Sequence, residues 1–203
     1  MPSAVERAKL ARAALALNAS SALPSLILMT DEKRLRDPVA AARLLPKGAA
    51  IILRHTVAET RRALGQELSR IAHECGLLLL IAGDAPLAAR IGADGLHLPE
   101  TRASEAKHWK CVHPAWLITA AAHSERALAS AARAGADAAL LAPAFPTLSH
   151  RERASLGVVR LRLMAERAAL PVYALGGINA QNVQRFAGAR LAGIAAIDGL
   201  QSS

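Results

Sequence analysis

A junction that recurs three times restricts what this chain can become. "GADGLHLPE" (92–100), "GADAALLAP" (135–143) and "GARLAGIAA" (188–196) each run from a Gly-Ala dipeptide and a charged residue into a short apolar stretch. Glycine accepts the left-handed conformation that ends a helix, and the apolar stretch reads as a buried strand, so each copy marks a step from helix to strand. Only the first copy carries a histidine, His97.

The same alternation extends along the chain. Strand-like runs fall at 25–30, 49–54, 77–82, 95–98, 115–121, 138–143, 171–175 and 191–197. Helix patterns lie between them, as in 56–76, where Leu64, Leu68 and Ile71 recur at helical spacing. Eight strands with a helix after most of them predict a single α/β domain, a (β/α)8 TIM barrel that is compact for its class. A doubly wound sheet shows similar alternation, but its usual glycine-rich loop after the first strand is absent from "LMTDEKRLRD". We place a helix in residues 1–22, packed on a barrel spanning 23–200. "ARAALALNA" resembles the core of a leader peptide. Glu6 before it and Arg12 within it argue against that reading, however, and Leu10, Ala13, Ala14 and Leu17 share one helical face.

Composition narrows the partners. Hydrophobic residues make up 53% but aromatics only 2%, so the core must be aliphatic and a base-stacking nucleic-acid surface is not expected. The formal charge of +9 favours anionic ligands, yet the arginines are scattered through helix-like segments, as a solvated basic surface would have them. Cys75 and Cys111 lack metal-site or disulfide spacing, which suits a reducing, cytoplasmic setting. The longest apolar run, 76–83, is too short to span a bilayer. His55, His73, His108, His113 and His150 show no metal-ligand spacing, and no structural zinc is expected. An apolar exposed barrel face would mark a homodimer.

Barrel active sites lie where the strands end, so Thr30, Asp31, Arg54, His97, His123, Thr147 and the loop after Leu175 should share one mouth. In "YALGGINAQN", Gly176 and Gly177 precede a helix expected to start after Asn179, which would offer backbone N–H groups to a phosphate; a tight turn explains the pair equally well. Ile197 and Asp198, ending strand eight, would complete such a phosphate cup. Arg54 could grip a phosphate or carboxylate in fork geometry. His123, opening a helix, is placed to shuttle protons, or is simply a cap or surface residue. His97 either points inward as an acid–base group or is a satisfied core histidine.

"LILMTD", "GADGLHLPE", "AAAHS", "APAFPTLSH", "LGVVRL" and "PVYALGGINAQN" occur in an order and spacing that resembles the thiamine phosphate synthase and TenI superfamily, from about residue 25 to 200. The resemblance implies a (β/α)8 barrel acting on a small phosphorylated heterocycle, a thiazole phosphate. In the synthase branch it implies magnesium held by aspartates, with an Arg-x-Lys after strand two and a Thr-x-Thr-Lys loop after strand six. Here those elements read Arg54-His55-Thr56 and Thr147-Leu148-Ser149-His150, both without lysine. The metal aspartates align with Ala82-Gly83 and with Arg102, leaving Asp84 as a displaced candidate ligand. Such losses remove the charge neutralisation that a departing diphosphate requires.

"HLPE" (97–100) and His123 are closer to the TenI branch, whose resemblance implies a metal-free thiazole tautomerase with His123 as acid–base catalyst. Where the family has a serine near the substrate phosphate, this chain has Asp198, which is repulsive there unless Arg54 or another cation intervenes, or the carboxyl is protonated or turned away. The sequence therefore leads to a TenI-like proton-transfer enzyme without a cofactor. A magnesium-dependent synthase and a non-catalytic thiazole- or thiamine-binding protein stand as alternatives. Ser149 and His150 join His97 and Asp84 as further site candidates.

Overall fold

The computed structural model describes residues 2–18, 22–147 and 154–201. Eight parallel strands close into a barrel. They are β1 (Leu26–Met29), β2 (Ala50–Leu53), β3 (Leu78–Ala82), β4 (Gly95–Leu98), β5 (Leu117–Ala122), β6 (Ala138–Leu141), β7 (Val172–Leu175) and β8 (Gly193–Ala196). Closure is made by β1, which pairs Leu28 with Ile51 of β2 on one side and with Ala196 of β8 on the other. All eight expected strands are present, most of them a residue or two shorter than the apolar runs. Segments such as Leu26–Met29 and Ala50–Leu53 are buried at every position, as parallel strands covered on both faces must be.

The helices are α1 (Ala4–Leu17), α2 (Pro38–Arg43), α3 (Ala58–Cys75), α4 (Ala85–Arg90), α5 (Ala106–Val112), α6 (Glu125–Arg133) and α7 (Gly157–Arg167). A full α-helix was expected after Asn179. The chain forms only a short 3-10 helix there, Val183–Phe186. The reason is local: the Asn179 side chain accepts N–H bonds from Gln181 and Asn182 at 3.0 and 3.2 Å, an alternative to helical bonding that asparagine favours.

The described chain after β8 makes one 3-10 turn, Asp198–Leu200. The outer layer between β8 and β1 is filled by α1, which touches both strands. Ser3 and Glu6 form a capping box at its start. Leu10 and Ala14 are wholly buried, with Ala13 and Leu17 packed beside the core. The start of α1 reaches the barrel's carboxy-terminal rim, where Gln181 donates to Glu6 Oε1 at 2.6 Å and Arg7 to the Gln201 carbonyl at 3.3 Å. No helix among the described residues is long and apolar enough to cross a membrane.

The recurring junction has an architectural role at the opposite rim. Gly92, Gly135 and Gly188 take φ of +65°, +78° and +73°, the conformation that lets a helix stop and the chain turn inward. In the first two copies the aspartate then binds the neighbouring strand twice. Asp94 donates its N–H to Leu79 O and accepts from Leu79 N at Oδ2, both at 2.8 Å. Asp137 repeats this with Ile118, at 2.8 and 2.7 Å. The third copy has Arg190 in place of aspartate, and Ala192 keeps the backbone bond alone, to Val172 O at 2.8 Å.

Candidate functional site

At the carboxy-terminal ends of the strands lies a cavity of about 770 Å³. Its floor is mostly apolar, formed by Met29, Ala82, His97, Ala121, Leu140 and Leu175. Arg54, His123, Thr147, Gly176, Gly177, Ile197 and Asp198, all singled out from sequence, line its wall. Arg34 lines it too. Ser149 and His150 lie outside the described residues.

His97 belongs to both readings that sequence left open. It is 6% exposed, yet it lines the cavity floor. Its Nδ1 lies 2.9 Å from Thr119 Oγ1, its register partner on β5. Burial, helped by the charge of Arg54, pulls its pKa down to about 4, so the ring is neutral near physiological pH.

His123 does not open a helix. Ser124 is the residue that caps α6, accepting the Ala127 N–H at 3.1 Å, and His123 sits just before it. Its Nδ1 meets Glu100 Oε2 at 2.7 Å. Glu100 begins the 3-10 helix that follows β4, Glu100–Glu105, so the end of "HLPE" is brought across to the end of β5. A carboxylate at Nδ1 selects the tautomer that carries its proton there and leaves Nε2 with a lone pair. Sequence had quoted Glu100 without giving it a role, because its partner is 23 residues away.

Arg54 was expected to present its fork to a ligand. Its Nη2 meets Asp31 Oδ2 at 2.5 Å, a single contact, and the residue lines the cavity. Burial raises the Asp31 carboxyl, but N–H bonds from Lys33 and Arg34 and the Arg54 charge outweigh that and hold it below the usual carboxylate range. Thr30, wholly buried, donates to or accepts from His55 Nδ1 at 3.0 Å and accepts the Arg54 N–H at 2.9 Å, which fixes the end of β2. Asp198 is gripped by Arg34, a residue sequence reading did not select: Nε to Oδ1 is 3.2 Å and Nη2 to Oδ2 is 2.6 Å.

The glycine pair reflects close packing. Gly177 has φ of +65°, and a Cβ there would stand 2.8 Å from the Pro146 carbonyl and 2.9 Å from Phe145 Cβ. With no α-helix following, the loop lacks the helix N-terminus expected from sequence. The N–H groups of Gly177 and Ile178 nevertheless donate to no acceptor among the described residues. The Thr147 hydroxyl, at the cavity edge, also has no partner among them.

Magnesium does not fit the residues at the end of β3. Asp84 caps α4, accepting the Leu87 N–H at 3.0 Å, and its other oxygen lies 3.8 Å from Arg61. Arg61 also donates to the Ala82 carbonyl, and Arg102 to the Gly83 carbonyl at 2.9 Å. Asp84 thus has one oxygen on the start of α4 and the other facing a guanidinium, and two guanidinium groups bond the carbonyls just before it, a setting of donors and not of further oxygen ligands for a hard cation.

With this geometry in hand, the relatives can be placed. The sequence profile described as thiamine monophosphate synthase matches residues 26–200. A thiamine-phosphate synthase of Nitrosococcus oceani is 33% identical over 168 residues, 81% of this chain and 77% of that protein. One of Pyrococcus abyssi is 30% identical over 183 residues, 88% of this chain and 87% of the other. Thiamine phosphate pyrophosphorylase from Pyrococcus furiosus superposes with a TM-score of 0.72 at 27% identity, covering 89% of this chain and 88% of that one. These names favour the synthase alternative over the TenI-branch reading that "HLPE" and His123 had suggested. The chain belongs to the thiamine monophosphate synthase family.

Proposed function

We propose that the mouth binds a small heterocycle of the kind used in building thiamine, and that His123, oriented by Glu100, moves a proton on it without a bound metal. The observation that carries this reading is the 2.7 Å contact between His123 Nδ1 and Glu100 Oε2 at the edge of a mostly apolar cavity. A histidine so held supplies a base at Nε2 and can return the proton as an acid, which is sufficient to move a double bond within a heterocycle. Neutral His97 on the floor, bonded to Thr119, is suited to orienting the ring without adding charge. Both cysteines are unpaired, which suits the reducing compartment expected of such an enzyme.

The relatives' names favour a second reading, condensation of a pyrimidine diphosphate with a thiazole phosphate. In that reading the charge of the departing diphosphate would fall to the mouth arginines, since the end of β3 is arranged against a divalent cation. Purified protein separates the two. Aromatisation of a thiazole tautomer, followed by absorbance, should proceed and fall by about 10²- to 10⁴-fold in His123→Ala, the usual contribution of a positioned acid–base group. An unchanged rate in that variant removes His123 from the chemistry. Thiamine phosphate formed from the two phosphorylated precursors with magnesium would establish the second reading.

A further inference from the structure

The turns after β7 and β8 share one side of the mouth and press together. A Cβ on Gly199 would lie 2.9 Å from the Ile178 carbonyl. Among the described residues, the N–H groups of Gly177, Ile178, Asp198 and Gly199 have no acceptor. Alone, these donors would suit an anion.

The side chains around them do not. The Asp198 carboxylate stands at this cup and lines the cavity. Arg34 holds both its oxygens, with Nη2 to Oδ2 at 2.6 Å, and Gln201 Nε2 adds a contact to Oδ1 at 3.3 Å. The other arginine lining the cavity among the described residues, Arg54, meets Asp31 at 2.5 Å through Nη2. Among the described residues, each guanidinium lining the cavity thus already has a carboxylate of the protein's own, although the chain as a whole carries a formal charge of +9. A phosphate ester entering here would set its charge against Asp198, with both of these guanidinium groups already facing a carboxylate.

A hydroxyl group meets none of these obstacles. Its oxygen accepts from a backbone N–H, and its proton is donated to the Asp198 carboxylate, so both kinds of group in the cup are satisfied. Phosphate in its fully ionised form has no proton to donate. From this pairing of unused N–H donors with an arginine-anchored carboxylate we infer that the cup selects an unphosphorylated, hydroxyl-bearing ligand: the alcohol of the heterocycle, not its phosphate ester. This rests on the heterocycle reading above and departs from the phosphorylated ligand that the family resemblance implies.

Two measurements test it separately. Inorganic phosphate is titrated by calorimetry into the wild-type protein and into Asp198→Ser and the near-isosteric Asp198→Asn, with thermal melts to show that each variant is folded. Both variants should bind phosphate at least tenfold more tightly than the wild type; no gain in either overturns the inference. Hydroxyalkyl thiazole and its phosphate monoester are then compared on the wild type. Tighter binding of the alcohol is expected, and tighter binding of the ester overturns the inference. If neither thiazole binds while the variants gain phosphate affinity, the heterocycle reading fails and the account of the cup stands.

Discussion

At the amino-terminal ends of the strands the molecule repeats itself, whereas at the carboxy-terminal ends it does not. Asp94 and Asp137 make the same pair of bonds to the strand beside them, separated from their partners by 15 and 19 residues. The mouth is held by pairs of different kinds: a histidine with a glutamate, one arginine with the aspartate after β1, and another with the aspartate after β8. Repetition suits a rim whose task is to start each strand in register. Variation suits a rim that must fit one ligand, which is the division of labour barrels show between their two ends.

The largest expected effect comes from the floor, between the rims. His97 resists protonation in the fold until about pH 4, against 6.5 for an ordinary histidine. Below pH 6.5 the unfolded chain therefore binds more protons, and stability falls with falling pH until it levels off near pH 4. The full difference is about 3 kcal/mol. Urea unfolding at pH 7 and pH 4.5 should show a smaller loss in His97→Asn than in the wild type, because the carboxylates titrate in both and only the imidazole is removed. Equal losses would mean that the ring is already charged or hydrated at pH 7.

Next comes the pair that makes the mouth chemical. Glu100→Ala should lower proton transfer by about 10- to 100-fold, less than removing the base itself, since the ring remains but its tautomer and orientation are no longer held. Melting should barely change, because His123 and Glu100 have side chains 34% and 40% exposed. A large loss of stability with an unaltered rate would make this pair an equivalent of Asp94 or Asp137, and the contrast between the two rims would fail.

How far the sequence reveals each rim follows from the same contrast. The barrel is legible because every strand announces itself through consecutive apolar residues and every junction through neighbours in the chain. Gly92, Ala93 and Asp94 can be read as a unit because they act as one. Arg54, His123 and Asp198 could be placed at the mouth from their positions after strands, but their partners could not. Arg34 and Asp198 are 164 residues apart, and nothing local in "DEKRLRD" says which of its charges reaches across the closure of the barrel. The missing helix after β7 is a different failure. Asparagines at 179 and 182 bond the loop's own backbone, a competition that apolar periodicity does not register.

Removing a junction aspartate should cost less than acidifying the floor and should leave the rate unaltered. Asp137→Ala leaves the Ile118 N–H without its acceptor and breaks a half-buried contact to Lys110 at 3.1 Å. Asp94→Ala leaves only the Leu79 N–H unsatisfied at that site. Each loss falls in the range of about 1–3 kcal/mol for a stranded buried donor, with Asp137 the larger. Chemical denaturation measures both, and the order between them is the sharper test because it depends on Lys110 alone.

The smallest effect belongs to Arg54 and Asp31, and it bears directly on what the mouth's ion pairs are for. Their 2.5 Å contact is close, but the Arg54 side chain is 43% exposed, and a solvated pair contributes at most about 1 kcal/mol. Asp31 also keeps N–H bonds from Lys33 and Arg34, each at 3.1 Å, when the guanidinium is gone. A double-mutant cycle with Arg54→Ala and Asp31→Asn should therefore give a coupling below about 1 kcal/mol in stability. If the coupling instead matched the cost of removing Asp137, this pair would be holding the barrel together. Arg54 would then serve the fold and not the fit of the ligand, and the contrast between the two rims would fail on that side of the mouth.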